Sequence, residues 1–192
     1  MNKKDNEEIA LQIFVSGTWS EKKALPFAQQ AILLGKLIAS QNYDLACGPG
    51  TGIARYVIEG YRSVESRGIV KFYLPSRVEM EKVGEEVGFG ADEIIETELD
   101  YPLRNIFQVR DSDALFILTG GDGTLEEAIT ALADYHLPVA AVKDSGTAAK
   151  ALELLVGIFH AWNDLLMMDD EITTLLDHIS NHLRSSKNEQ SR

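Results

Sequence analysis

The residues best suited to chemistry in this 192-residue chain sit where apolar runs give way to glycine and hydroxyl residues. The most pronounced case is Ala114–Leu118 followed by Thr119, Gly120, Gly121, Asp122, Gly123 and Thr124, with Glu126 and Glu127 close behind. Glycine lets a backbone come close to a ligand. A helix opening after such a turn points its free N–H groups and the positive end of its dipole into the turn. Gly120, Gly121, Gly123 and Thr124 therefore read as a cradle for an anion such as a phosphate. A plainer reading stays open beside it: a tight strand-to-helix turn, with Thr124 as N-cap and Glu127 closing a Thr-x-x-Glu capping box.

Two further segments repeat the pattern. Cys47 leads into Gly48, Pro49, Gly50, Thr51 and Gly52, a second glycine turn between an apolar run and a helix. Phe14-Val15 leads into Ser16, Gly17 and Thr18, whose hydroxyls suit either a phosphate or a helix cap. Arg104 and Arg110, on the helix before the Ala114–Leu118 run, carry the bidentate donors that suit phosphate or carboxylate. The bland alternative is a pair of solvated surface cations. His178 and His182 are four apart but lie near a polar C-terminus and read as solvated. Cys47 is a lone cysteine with no nearby histidine, so no metal site is expected. Ser16, Thr18 and Thr124 have no histidine and aspartate at a recognisable spacing, so no nucleophilic triad is expected.

These turns need a scaffold, and the rest of the chain supplies one. Short apolar runs at 12–15, 43–47, 69–74, 93–97, 114–118 and 138–142 alternate with segments of helical period at 22–40, 53–66, 103–112, 124–135, 147–162 and 171–184. Pro26 falls in the first turn of the 22–40 helix, where a missing N–H is harmless. Residues 77–90 read as loop with one helical turn. Trp162, Met167 and Met168 read as core or interface packing. Strands alternating with helices predict an α/β fold: a single-domain, Rossmann-like, doubly wound parallel sheet with helices on both faces. In such sheets ligands bind at the carboxyl ends of the strands, so the three turns are expected to meet in one site. The expected organisation is a disordered leader over 1–8, one nucleotide-binding domain over 9–184 and a polar tail over 185–192.

Composition narrows the partners. A formal charge of −12 disfavours nucleic acid and anionic membranes, which require clustered cations. No apolar run approaches the roughly 18 residues of a membrane helix, and the polar N-terminus does not read as a secretory signal, so a cytoplasmic location is expected. The helices at 28–38 and 147–162 carry more apolar surface than one sheet face needs, which points to self-association.

The stretch from Arg104 to Glu127 resembles the LOG ("Lonely Guy") family, long labelled lysine decarboxylase-like. Its signature, Pro-Gly-Gly-x-Gly-Thr-x-x-Glu, appears here as Thr119-Gly120-Gly121-Asp122-Gly123-Thr124-Leu125-Glu126-Glu127, with Arg104 at the matching place upstream. Gly48–Gly60 resembles the family's first glycine loop and helix, and Phe14–Thr18 its opening strand. Departures are Thr119 for the signature proline, Asn105 where relatives carry lysine, and Arg55 beside the first glycine loop. The resemblance implies a phosphoribohydrolase that cuts the N-glycosidic bond of a nucleoside 5′-monophosphate, releasing base and ribose 5-phosphate. It makes Arg104 and Glu127 the catalytic pair and assigns the phosphate to Gly121, Gly123 and Thr124, with no cofactor, no metal and a homodimeric state. Neighbouring helical residues point about 100° apart, so only one of Glu126 and Glu127 can face the pocket, and the resemblance selects Glu127. Molybdenum-cofactor carriers and nucleotide-sensing domains have similar folds, so a non-catalytic carrier or sensor is the alternative.

Overall fold

The computed structural model describes residues 10–65 and 67–190, and the expected leader over 1–8 lies outside them. Seven strands form one sheet: β1 (Gln12–Gly17), β2 (Asp44–Cys47), β3 (Val70–Leu74), β4 (Glu93–Glu96), β5 (Ala114–Leu118), β6 (Val139–Val142) and β7 (Leu166–Asp169). Their order is β4-β3-β2-β1-β5-β6-β7, and every neighbouring pair is parallel. This is the 3-2-1-4-5-6 Rossmann order with one added strand. The chain reverses its direction of travel across the sheet between β1 and β5, and a crevice opens there at the carboxyl ends of the strands.

The central strands are buried on both faces, which is why β5 reads as the unbroken run Ala-Leu-Phe-Ile-Leu, while the edge strand β4 is largely exposed. Ala114, Phe116 and Leu118 face one layer, while Leu115 and Ile117 face the other. The first layer holds α2 (Ala28–Ser40), α3 (Ile53–Arg62) and α8 (Ile172–Gln190); the second holds α5 (Tyr101–Arg110), α6 (Asp122–Ala133) and α7 (Thr147–Val156). Two short helices, α1 (Glu21–Ala24) and α4 (Arg77–Val83), complete the set. Helices α2 and α3 touch backbone to backbone, since a Cβ on Gly35 would fall 1.9 Å from Val57 O and one on Gly60 1.9 Å from Ile32 O. At the start of α3 the Ile53 amide donates to Thr18 O at 3.0 Å, which joins the loop that feeds α3 to the loop that follows β1.

Several elements differ from the sequence reading. The single helix expected over 22–40 is broken: α1 is followed by a 3-10 turn at Leu25–Phe27 before α2 begins. Pro26 sits in that turn, where its missing N–H and fixed φ favour the tighter winding. Helix α3 ends at Arg62 and α7 at Val156, each shorter than its apolar pattern suggested. Trp162 lies in a separate 3-10 turn and stacks on Phe159 with ring centroids 4.7 Å apart. The segment expected to be mostly loop contains α4, preceded by Ser76 and stopped by Gly84 in the left-handed conformation. Strand β7 was not expected at all; Met167 and Met168 lie in it as an edge strand beside β6. Helix α8 runs through the first part of the expected tail, as far as Gln190. His178 is half-buried rather than solvated: its ring contacts that of His182 edge-on at 4.6 Å, and Nε2 lies 3.2 Å from Leu165 O. Among the described residues, no helix is long and apolar enough to cross a membrane.

Candidate functional site

The carboxyl ends of β1, β2 and β5 open into a cavity of about 980 Å³. Ser16, Gly17, Gly48, Gly121, Gly123, Thr124, Arg104 and Glu127 all line it. Gly50, Gly52 and Gly120 are absent from the wall and shape the loops behind it. A Cβ on Gly120 would fall 2.3 Å from Thr124 Oγ1, and its φ of +104° is one that glycine adopts without strain. Gly52, with φ +57°, lies against the β1 loop, where a Cβ would be 2.1 Å from Thr18 O. Gly17 is required by packing too, since a Cβ there would fall 2.4 Å from Leu118 O, but the other three wall glycines behave differently. A methyl group on Gly48, Gly121 or Gly123 would meet nothing in the protein closer than 3.6 Å. Packing within the protein does not require glycine at those three places. What their bareness preserves is room for something in the cavity to reach the main chain.

Helix α6 begins two residues earlier than expected, at Asp122, with Gly121 as its N-cap and no side chain capping it. The amides of Asp122, Gly123 and Thr124 take no acceptor among the described residues. Thr124 therefore lies inside the first turn, and the capping box of the plainer reading is not made. Its hydroxyl instead shares a 3.1 Å hydrogen bond with Ser16 Oγ, and Ser16 Oγ donates to Glu127 Oε2. Turned with its NH2 toward Glu127, the Asn105 amide donates to Oε1 at 3.2 Å and to Tyr101 O at 3.2 Å. Glu127 is thus held by side chains from β1 and α5, and only about 7% of it is exposed. Glu126, one residue earlier, is exposed. Burial pushes the Glu127 carboxyl up to about 7; the Ser16 hydroxyl and the Arg104 cation restrain the rise, and Glu126 adds to it. A carboxyl in that range exchanges protons readily at neutral pH.

Arg104 is buried as well, at about 7% exposure. Its Nη1 donates to Gln108 Oε1 at 3.2 Å and to Tyr73 O at 3.4 Å, and its guanidinium lies 5.4 Å from the centre of the Tyr101 ring. The described residues place no carboxylate within ion-pairing distance of it. Arg110 is the surface cation of the pair, stacked on Phe107 and bonded to Asp111. Arg55 also points away, 64% exposed in its side chain and 3.8 Å from Glu21. Cys47, buried under the first glycine loop, has its thiol pushed far up by burial, against the lowering effect of Arg104. The described residues contain no group of three or more metal-ligating side chains.

Thr119 ties the loops together. It holds φ +71°, its amide donates to Ser145 Oγ at 3.0 Å, and its Oγ1 accepts from the Thr18 amide at 3.0 Å. Proline, with φ fixed near −65° and no N–H, cannot occupy this conformation. A chain with the signature proline must take another path here.

Sequence reading did not assign roles to Asn105, Gln108 or Tyr101. A signal existed: Tyr101, Arg104, Asn105 and Gln108 occur at i, i+3, i+4 and i+7, which is the spacing of a buried face. Polar residues in all four places mark a helix that turns chemistry, and not only packing, toward its neighbours.

Fold and cavity together define a Rossmann-like α/β protein with its glycine loops at the switch point of the sheet. Within that class, the chain belongs to the SLOG cluster4 family, a LOG-like group whose profile matches residues 10–164. It is 30% identical over 127 residues to the probable cytokinin riboside 5′-monophosphate phosphoribohydrolase LOGL6 of Oryza sativa subsp. japonica. That match covers 63% of this chain and 46% of the rice protein, so the chain spans about half the length of this curated relative. Among solved structures, the molybdenum cofactor carrier protein MCP from Chlamydomonas reinhardtii superposes with a TM-score of 0.74 at 21% identity, covering 91% of this chain and 99% of that one. The molybdenum cofactor binding protein from Rippkaea orientalis gives 0.73 at 23% identity, over 91% and 98%. These two likenesses establish the fold.

Proposed function

We propose that the chain is a phosphoribohydrolase that hydrolyses a nucleoside 5′-monophosphate to the free base and ribose 5-phosphate. The observation that carries this reading is the pairing, in one cavity, of an uncapped helix start with a buried carboxyl poised near neutrality. The 5′-phosphate sits on the amides of Gly121, Gly123 and Thr124, where backbone donors and the helix dipole favour an anion whatever the net charge. As the C1′–N bond breaks, its electron pair leaves with the base and positive charge develops on the ribose. The Glu127 carboxylate stabilises that charge and accepts a proton from the water that adds to C1′; the departed base takes up a proton from solvent, and Glu127 returns its own to solvent. Arg104 anchors the substrate and favours negative charge on the departing base. Ser16 and Asn105 hold the carboxylate in place. The kinship with the rice enzyme supports the same reaction class.

A second reading has an observation in its favour. The cavity of about 980 Å³ lies at the upper end of the range for small-molecule sites, roughly 300–1,000 Å³, so a pterin-sized cargo would also fit. On that reading the chain is a non-catalytic carrier. Incubation with a panel of nucleoside 5′-monophosphates, followed by chromatography for free base, separates the two. Base released from at least one substrate in equimolar amount with ribose 5-phosphate is expected; binding without release from any of them leaves the carrier.

Self-association belongs to the same proposal. The apolar face of α2 is consumed within the monomer, where Ala31, Leu34, Ile38 and Ala39 are buried. Helix α7 and the turn after it keep Leu154 at 75% and Ile158 at 69% exposure. A second copy covering that face would remove them from water. Sedimentation velocity is expected to give the mass of two chains, and a single-chain mass at micromolar concentration would rule this out.

A further inference from the structure

We propose that Gln108 is a positioning residue that holds Arg104 by a neutral acceptor, so that the cation stays uncompensated inside the cavity. The inference deepens the reading of the cavity as an anion site and rests on it. Gln108 is fully buried. Its Oε1 accepts from Arg104 Nη1 at 3.2 Å, while its Nε2 finds no partner among the described residues. A buried amide with unsatisfied donors costs free energy. Methionine would fill similar space without that cost, so packing does not account for glutamine here.

What glutamine supplies is an acceptor without charge. Arg104 Nη1 has two acceptors, the Gln108 amide oxygen and the Tyr73 carbonyl, and both are neutral. Its Nε and Nη2 take no acceptor among the described residues, and the side chain lines the cavity. Nη1 also lies 3.6 Å from where a Cβ on Gly48 would be, which places the guanidinium under the first glycine loop. A glutamate at 108 would bind the arginine more strongly, as a charge-assisted pair, and in doing so would use up the positive charge. The neutral amide fixes the geometry and leaves that charge for a ligand.

The isosteric variant Gln108→Glu tests this. Two readouts are needed: AMP binding by calorimetry, and titration of the Glu127 carboxyl by carbon-detected NMR in ligand-free protein. Glu127 is faced by Arg104 and Asn105 from α5, by Ser16 from β1, and by Thr124 and Glu126 on its own helix. Only the Arg104 contribution is removed when a carboxylate pairs with it. Gln108→Glu is expected to weaken AMP binding on the order of tenfold and to move the Glu127 titration upward. Wild-type affinity together with an unmoved Glu127 titration would overturn the proposal. If the wild-type protein binds no AMP, the functional reading fails. The role of Gln108 is then read from the uncharged variant Gln108→Met, where a moved Glu127 titration upholds it and an unmoved one overturns it. Should Gln108→Glu not fold, Gln108→Met is expected to fold at least as stably as wild type and to bind AMP more weakly; undiminished binding would overturn the proposal as surely.

Discussion

Replacing Glu127 by glutamine is expected to cut release of free base by about three orders of magnitude while leaving the fold intact. Positioned acid–base groups contribute roughly 10²–10⁴, and the charge stabilisation lost with the carboxylate adds to that. The same substitution has a pH signature in stability. The carboxyl titrates near 4.5 when solvated and at about 7 in the fold, so the native state binds its proton more tightly than the unfolded chain does. Its stabilising contribution is complete below pH 4.5 and is lost as pH rises through 7. Wild type then carries a buried carboxylate that glutamine lacks. Urea melts are expected to show the variant gaining about 2–3 kcal/mol on wild type between pH 5 and pH 8. Turnover in wild type is expected to rise across the same interval, as the carboxylate forms. Undiminished turnover in the variant would remove Glu127 from the chemistry, and parallel melts at the two pH values would show that burial does not raise it.

The second large effect is structural. Thr119→Pro restores the residue of the LOG signature and is nevertheless expected to destabilise the protein by about 3 kcal/mol or more. The position sits at φ +71° and uses both its amide and its hydroxyl, one toward Ser145 and the other toward Thr18. Proline satisfies none of these demands. Thr119→Gly separates the two contributions, because it relieves the dihedral and keeps the amide while deleting the side chain with its hydroxyl. Glycine is expected to lie near wild type in thermal melting, with proline far below. A proline variant that melts with wild type would mean that the loop has a second path open to it.

How legible was this molecule in its residues? The turns were legible because glycine leaves few readings where an apolar strand stops, and all three turns do lie at one end of the sheet. The strand β5 was read to the residue, since five buried apolar positions admit little else. The start of α6 was less clear. Asp122 and Gly123 are weak helix formers, so Thr124 looked like the first cap. That apparent capping box masked what Glu127 does, because the same Thr-x-x-Glu spacing serves either an N-terminus or a pocket. Its partner Ser16 is more than a hundred positions away, a contact that only the pairing of β1 with β5 creates. Strand β7 was missed for a similar reason: Leu166–Asp169 is four residues long and is a strand because β6 offers it an edge.

Gly48, Gly121 and Gly123 carry a consequence for anyone wishing to make this protein sturdier. Alanine in a helix is favoured over glycine by about 1 kcal/mol, and Gly123 lies in the first turn of α6 with space beside it. A search for hardening substitutions would choose that position early. The product would withstand heat better, with a methyl group standing where the cavity now meets bare main chain. Toughness and usefulness are in direct opposition at those few atoms.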